Sequence, residues 1–229
     1  MCGTNLTGRE QISAHPPTGA TVATHALHER VDQLAADVAD QVVDWRHHLH
    51  RHPELSNREV ETARLVAEHL GSLQMDDVRT GIAGHGVIGI LRGGNGGDHV
   101  AALRADMDAL PMKEESGVDF ASDVVDTEYP GGPLPVAHTC GHDCHTAMLM
   151  GAASVLAGVR DELSGTVLFV FQPAEEGPPI DEDGGAQAME ASGALDDPAP
   201  TMVFGMHVTP FPKGIVAYRV GNSTGRRYS

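Results

Sequence analysis

The sequence predicts an α/β domain, a largely parallel sheet flanked by helices. Three observations carry that prediction. Apolar residues recur at spacings of three and four over Val31, Leu34, Val38, Val42, Trp45 and Leu49, the period of one helix face. Two continuous apolar runs, 166–171 (TVLFVF) and 201–206 (TMVFGM), have strand length and suit strands buried on both faces. Between and around them helical and strand patterns alternate, which implies helices packed on a mainly parallel sheet.

Taken in order, residues 1–24 show no periodicity and read as a mobile tail. The first helix follows and ends near His52-Pro53, because the residue before a proline is pushed out of the helical region. Ser56-Asn57-Arg58-Glu59 has the spacing of a capping box and opens a second helix with the stripe Val60, Ala63, Ala67, Leu70 and Leu73. Residues 86–91 (GVIGIL) and 99–105 (HVAALRA) read as strands separated by the turn GGNGGD at 93–98. An Ala-rich buried helix spans 145–159. The 166–171 strand is bounded by Gly165 and Pro173, and a short helix at 184–192 stops at Gly193.

Composition narrows the function classes. The 229 residues carry 15 Lys and Arg against 32 Asp and Glu, a formal charge of −17. Such a charge repels phosphate backbones and anionic membrane surfaces, so neither nucleic acid nor a membrane is an expected partner. No apolar run is long enough to span a bilayer. Three cysteines, Cys2, Cys140 and Cys144, do not make a disulfide framework, and a reducing, cytoplasmic location is expected. The 14 histidines, by contrast, cluster at 47–52 and 138–145, which directs attention to metal ligands.

Candidate ligands sit where such a sheet places its sites, at the carboxyl ends of strands. Asp106 and Asp108 follow one strand, Glu175 and Glu176 another, and His207 a third. In His138-Thr-Cys140-Gly-His142-Asp-Cys144-His145, Cys140 and His142 are two apart, so both can grip one metal or two adjacent ones. Gly141 lets the backbone bend closely around an ion. The Glu175-Glu176 pair allows one carboxylate to bind metal while its neighbour takes a proton from water, the division of labour in metal-assisted hydrolysis. Alone, each feature has a plainer reading. His207 is then a hydrogen-bonded core residue, the aspartates cap a turn, and the Glu pair is a solvated loop. Arg46-His-His-Leu-His-Arg-His52 reads mostly as a solvated face, with one imidazole available to line a cleft. Cys140 and Cys144 lack the spacing of a C-x-x-C redox pair.

Five segments in order carry a family resemblance: W-R-x-x-L-H-x-x-P-E-L-S (45–56), L-R-A-D-M-D-A-L-P (103–111), H-x-C-G-H-D-x-H-x-A (138–147), Q-P-A-E-E (172–176) and G-x-H-V (205–208). The chain resembles the metal-dependent N-acyl-amino-acid amidohydrolases, a group with hippurate hydrolase, the auxin–amino-acid conjugate hydrolases and related aminoacylase and carboxypeptidase metallopeptidases. The resemblance implies a metallopeptidase catalytic domain interrupted by a smaller lid domain, with full-length relatives forming homodimers. It implies two divalent ions (Mn²⁺, Zn²⁺, Ni²⁺ or Co²⁺) held by Cys140, His142, Glu176 and His207. Glu175 would activate the water that bridges them, and Asp108 would stand behind the ligands. The expected substrate is a small N-acyl amino acid or peptide, cleaved at its amide bond.

On this reading residues 25–221 form the N-terminal portion of the catalytic domain, and 222–229 depart from the family pattern where the lid would begin. The lid and the C-terminal part of the catalytic domain are then absent. The alternative expectation is a truncated, catalytically incompetent fragment that at most binds metal.

Overall fold

The computed structural model describes residues 21–210, 212 and 214–217, with side chains described from residue 24 onward. Residues 1–20 of the expected tail, and the whole of 222–229, lie outside the described residues. Helix α1 (Thr21–Arg51) takes in the last four positions that aperiodicity had left in the tail. The six apolar residues of its predicted stripe are its less exposed face. That face lies on α3 (His142–Gly158), where Val42 packs over Gly151 and Leu34 over Gly158. A side chain at either glycine would collide with α1, so two missing Cβ atoms set the closeness of the pair.

Helix α2 (Val60–Ser72) begins where the sequence predicts, but not by the predicted device. Ser56 and Glu59 form no capping box. Glu54 caps the helix instead, its two oxygens accepting the Glu61 and Thr62 amides at 3.0 and 2.8 Å. The buried positions are Thr62, Val66 and Leu70, whereas Val60 is exposed. Thus the stripe is set by which face meets the sheet, and only Leu70 of the predicted set is fully buried.

The main sheet contains β1 (Asp77–Ile82), β2 (Gly86–Arg92), β3 (Val100–Asp106), β6 (Thr166–Gln172) and β7 (Met202–Gly205), in the order β1-β2-β6-β3-β7. Two-residue strands β4 (Val125–Asp126) and β5 (Leu134–Pro135) pair separately. Strands β6, β3 and β7 run parallel, while β1 and β2 join antiparallel at the other side. Consecutive strands β2 and β3 are not a hairpin, because β6 inserts between them.

Period-2 alternation then sorts the core. Val87, Leu91, Phe169, Phe171 and Ala105 face α2 and α3. Ile88, Ile90, Leu168, Val170 and Ala102 face the opposite side, where α4 (Gly185–Ala191) contributes Met189. β6 is therefore covered on both faces, as its apolar run predicts. β7 is not: it is an edge strand with all four residues exposed, including Val203 and Phe204. An apolar run identifies a strand that needs cover, but it does not supply the cover. Among the described residues, no helix is long and apolar enough to cross a membrane.

Candidate metal centre

Because β6, β3 and β7 are parallel, their carboxyl ends lie along one edge of the sheet. There Asp106 and Asp108 leave β3, Glu175 and Glu176 follow β6, and His207 follows β7. The N-terminal turn of α3 closes on them with Cys140, His142 and His145. Among the described residues three donor groups result, each with its ligand atoms within 4.8 Å: Cys140, His142 and His207; His142, Glu175 and Glu176; and Asp106, His142 and His145.

His142 is fully buried at the centre. Its Nδ1 lies 3.3 Å from Asp108 Oδ1, so the proton belongs on Nδ1 and the Nε2 lone pair is left free. Nε2 has no hydrogen-bond partner and faces Glu176 Oε1 at 3.7 Å and Glu175 Oε2 at 3.8 Å. Glu176 Oε1 is itself buried without a partner. His207 is exposed; its Nδ1 donates to the Val208 carbonyl at 2.6 Å, and its Nε2 is within hydrogen-bond reach of Cys140 Sγ at 3.5 Å. Orphaned lone pairs facing one another are costly in a folded protein unless something binds both. A divalent cation fits that need.

Electrostatics agree with this fit. Burial first, then Glu176 with the charges of Glu175 and Asp106, pushes the Cys140 thiol up to about 12. Burial, followed by the Asp106 charge, also raises Glu175. Burial works to lower the pKa of His142, but Asp108, Asp106 and Glu176 outweigh it and the pKa rises. All three shifts report a pocket with excess negative charge, which a bound cation would reverse.

Asp108 ties the centre together. Its Oδ2 accepts the Ser56 hydroxyl at 2.6 Å and the Glu176 amide at 2.9 Å. Burial works to raise its pKa, but the hydrogen bond to His142, with those from Ser56 and the Glu176 amide, holds its carboxyl below the usual range. Glu59, the other end of the supposed capping box, accepts the Ala174 amide at 2.7 Å. Ala174 has a φ of +52°, left-handed backbone that is uncommon for a residue with a Cβ. The 55–59 turn is thus the rear wall of both site loops, and this use explains why it does not cap α2.

In the third donor group Asp106 and His145 are already hydrogen-bonded, while His142 Nε2 stands 3.6 Å from Asp106 Oδ2. Asp106 accepts Arg104 at 2.6 Å and His145 Nδ1 at 2.6 Å, while the Val208 amide donates to His145 Nε2 at 2.8 Å. The histidine-rich exit of α1 is also less solvated than expected. His50 is buried between Asp143 and Glu114, both at 2.8 Å, and Arg46 reaches Asp143 at 2.9 Å. His138 is buried with both ring nitrogens unpartnered, and burial holds it neutral with a pKa of about 4. Cys140 and Cys144 are free thiols. Gly141 has φ +90° and caps α3, but the close approach it permits is that of Val208, whose Cγ2 methyl occupies the place of a Cβ.

Sequence reasoning located Cys140, His142, Glu175, Glu176, His207 and Asp108, and the fold brings all six together. The sequence reads Ser56 and Glu59 as a helix cap and gives His50 and His145 no role of their own. For His145 the signal was present, since it lies inside the densest motif.

Comparison with known proteins completes the picture. The model of peptidase family M20/M25/M40 matches residues 102–226. The chain is 39% identical over 197 residues to thermostable carboxypeptidase 2 of Saccharolobus solfataricus, covering 85% of this chain and 46% of that protein. It is 39% identical over 198 residues to an N-acyl-L-amino acid amidohydrolase of Geobacillus stearothermophilus, covering 84% and 48% respectively. A crystal structure of a dinuclear metal-binding M20 peptidase from Bacillus subtilis superposes with a TM-score of 0.63 at 38% identity, covering 75% of this chain and 43% of that one. The chain therefore spans about half the length of these relatives. With over half of the chain matched by the family model and the strand-end donors gathered at one edge of the sheet, the chain belongs to peptidase family M20/M25/M40.

Proposed function

We propose that the chain carries the metal-binding and proton-transfer core of an amidohydrolase acting on N-acyl amino acids or small peptides. The observation that carries this reading is the facing pair of buried, unpartnered atoms, His142 Nε2 and Glu176 Oε1, with Glu175 beside them. Cys140, His142, Glu176 and His207 hold two divalent ions, and their mixed sulfur, nitrogen and oxygen donors do not choose among Mn²⁺, Zn²⁺, Ni²⁺ and Co²⁺. When bound, such ions polarise an amide carbonyl and acidify water. Asp108 keeps the His142 proton on Nδ1, which leaves Nε2 to bind. Glu175, the more exposed of the two glutamates at 41% against 20%, stands on the solvent side of the donors, takes the water's proton and returns it to the leaving amine. The names of the carboxypeptidase and amidohydrolase relatives support an amide substrate.

The test is hydrolysis of N-acetyl- and N-benzoyl-amino acids by dialysed protein with Mn²⁺ or Zn²⁺ restored. Glu175→Gln should lower the rate by about 10²–10⁴-fold. Equal rates in the two proteins would overturn the assignment of Glu175. A second reading, metal binding without turnover, is favoured by the exposure of β7, the strand that delivers His207. Stoichiometric metal with no hydrolysis by the unaltered chain would establish it.

A further inference from the structure

We infer that His145 is a positioning residue that sets His207 against Cys140 by gripping the backbone of Val208. The inference rests on the metal-centre reading and adds a device to it. β7 cannot place His207 by itself, because the strand and the residues after it are exposed and β3 alone pairs with it among the described strands. Something beyond the strand must hold the imidazole, and three contacts converge on the residue after His207.

The Val208 amide donates to His145 Nε2 at 2.8 Å. The Val208 carbonyl accepts His207 Nδ1 at 2.6 Å. The Val208 side chain fills the space left by the absent Cβ of Gly141, next to Cys140. Both backbone polar groups of one residue are thereby used, one to anchor it and one to orient the imidazole.

His145 is itself rigid. It is fully buried on the first turn of α3, and its Nδ1 lies 2.6 Å from Asp106 Oδ1. Since Nε2 accepts an amide proton, Nδ1 carries the ring proton and donates it to Asp106. Asp106 is in turn fixed by Arg104 at 2.6 Å. A chain of hydrogen bonds thus runs from the end of β3, through α3, to the end of β7. It also uses both ring nitrogens of His145, so the group of Asp106, His142 and His145 is a brace rather than a third metal site.

The two ring nitrogens can be separated by substitution. In His145→Asn the side-chain amide can still donate near the Nδ1 position but is too short to accept from Val208. In His145→Gln an amide oxygen can stand near the Nε2 position. Calorimetric titration of Zn²⁺ into the metal-free chain should show binding about 10–100-fold weaker in His145→Asn. His145→Gln should bind nearly as the unaltered protein does. Hydrogen exchange on the metal-free chains should show loss of protection at the Val208 amide in His145→Asn and its retention in His145→Gln.

Unchanged zinc affinity together with unchanged Val208 protection in His145→Asn would overturn the inference. Absence of zinc binding in every chain would defeat the metal-centre reading, while the exchange measurement would still decide this one. Should His145→Asn fail to melt cooperatively, Val208→Pro, which removes the amide proton that His145 accepts, replaces it. Weaker zinc binding there supports the anchor, and unchanged binding overturns it.

Discussion

At the scale of single residues, the centre is built from groups whose partners settle their protonation. Glu59 is the case where this reaches stability. Its carboxyl is fully buried and pushed up to about 7, chiefly by burial, with the Asp108 charge adding and backbone amides opposing. Between the ordinary value of 4.5 and about 7, the folded chain holds a proton there that the unfolded chain has lost. Folding stability contributed by this group is therefore present below pH 4.5 and declines as pH rises towards 7, by at most about 3 kcal/mol. Glu59→Gln has no such proton. Denaturant unfolding of the metal-free chains should show the stability of the unaltered protein falling relative to Glu59→Gln across that interval. A difference that is flat with pH would contradict the assignment.

At the scale of elements, the sequence was informative about faces and silent about what meets them. The α1 stripe was legible because one partner, α3, takes the whole face at two glycines. On α2 the apolar residues were read one register away from the buried set, since alanines at 63 and 67 tolerate partial burial while Val66 and Leu70 enter the core. Leu70→Ala should cost about 2–5 kcal/mol and Val60→Ala about 0.5 kcal/mol or less in thermal or denaturant unfolding. β1 gave no signal, because its sequence DVRTGI is mostly exposed and has only Ile82 buried. The Ser56 to Glu59 spacing was misleading for a physical reason: hydroxyl and carboxylate groups that can cap a helix can equally accept and donate elsewhere, and here the site loops outcompete the helix end. The candidate site was more legible than the fold, because parallel strands deliver their following residues to one edge whatever order they take in the sheet.

At the scale of the whole molecule, the described structure combines central strands covered on both faces with an apolar, exposed edge strand, β7. Met202, Val203, Phe204, Met206 and Val208 are exposed together, next to unpaired strand hydrogen-bonding groups. Such an edge is a template for pairing with another chain. Sedimentation should show concentration-dependent self-association of the 229-residue protein, reduced by Val203→Lys, which puts a charge on that edge. A monomer at all concentrations would show that the edge is covered in solution. The same edge ends in His207, so its order bears directly on the metal centre. Cobalt substitution reads out whether Cys140 and its neighbours bind a metal. Co²⁺ added to the metal-free chain should produce a thiolate-to-metal charge-transfer absorption that is lost in Cys140→Ser and kept in Cys144→Ser. No such absorption in the unaltered chain, or one that survives Cys140→Ser, would contradict the account.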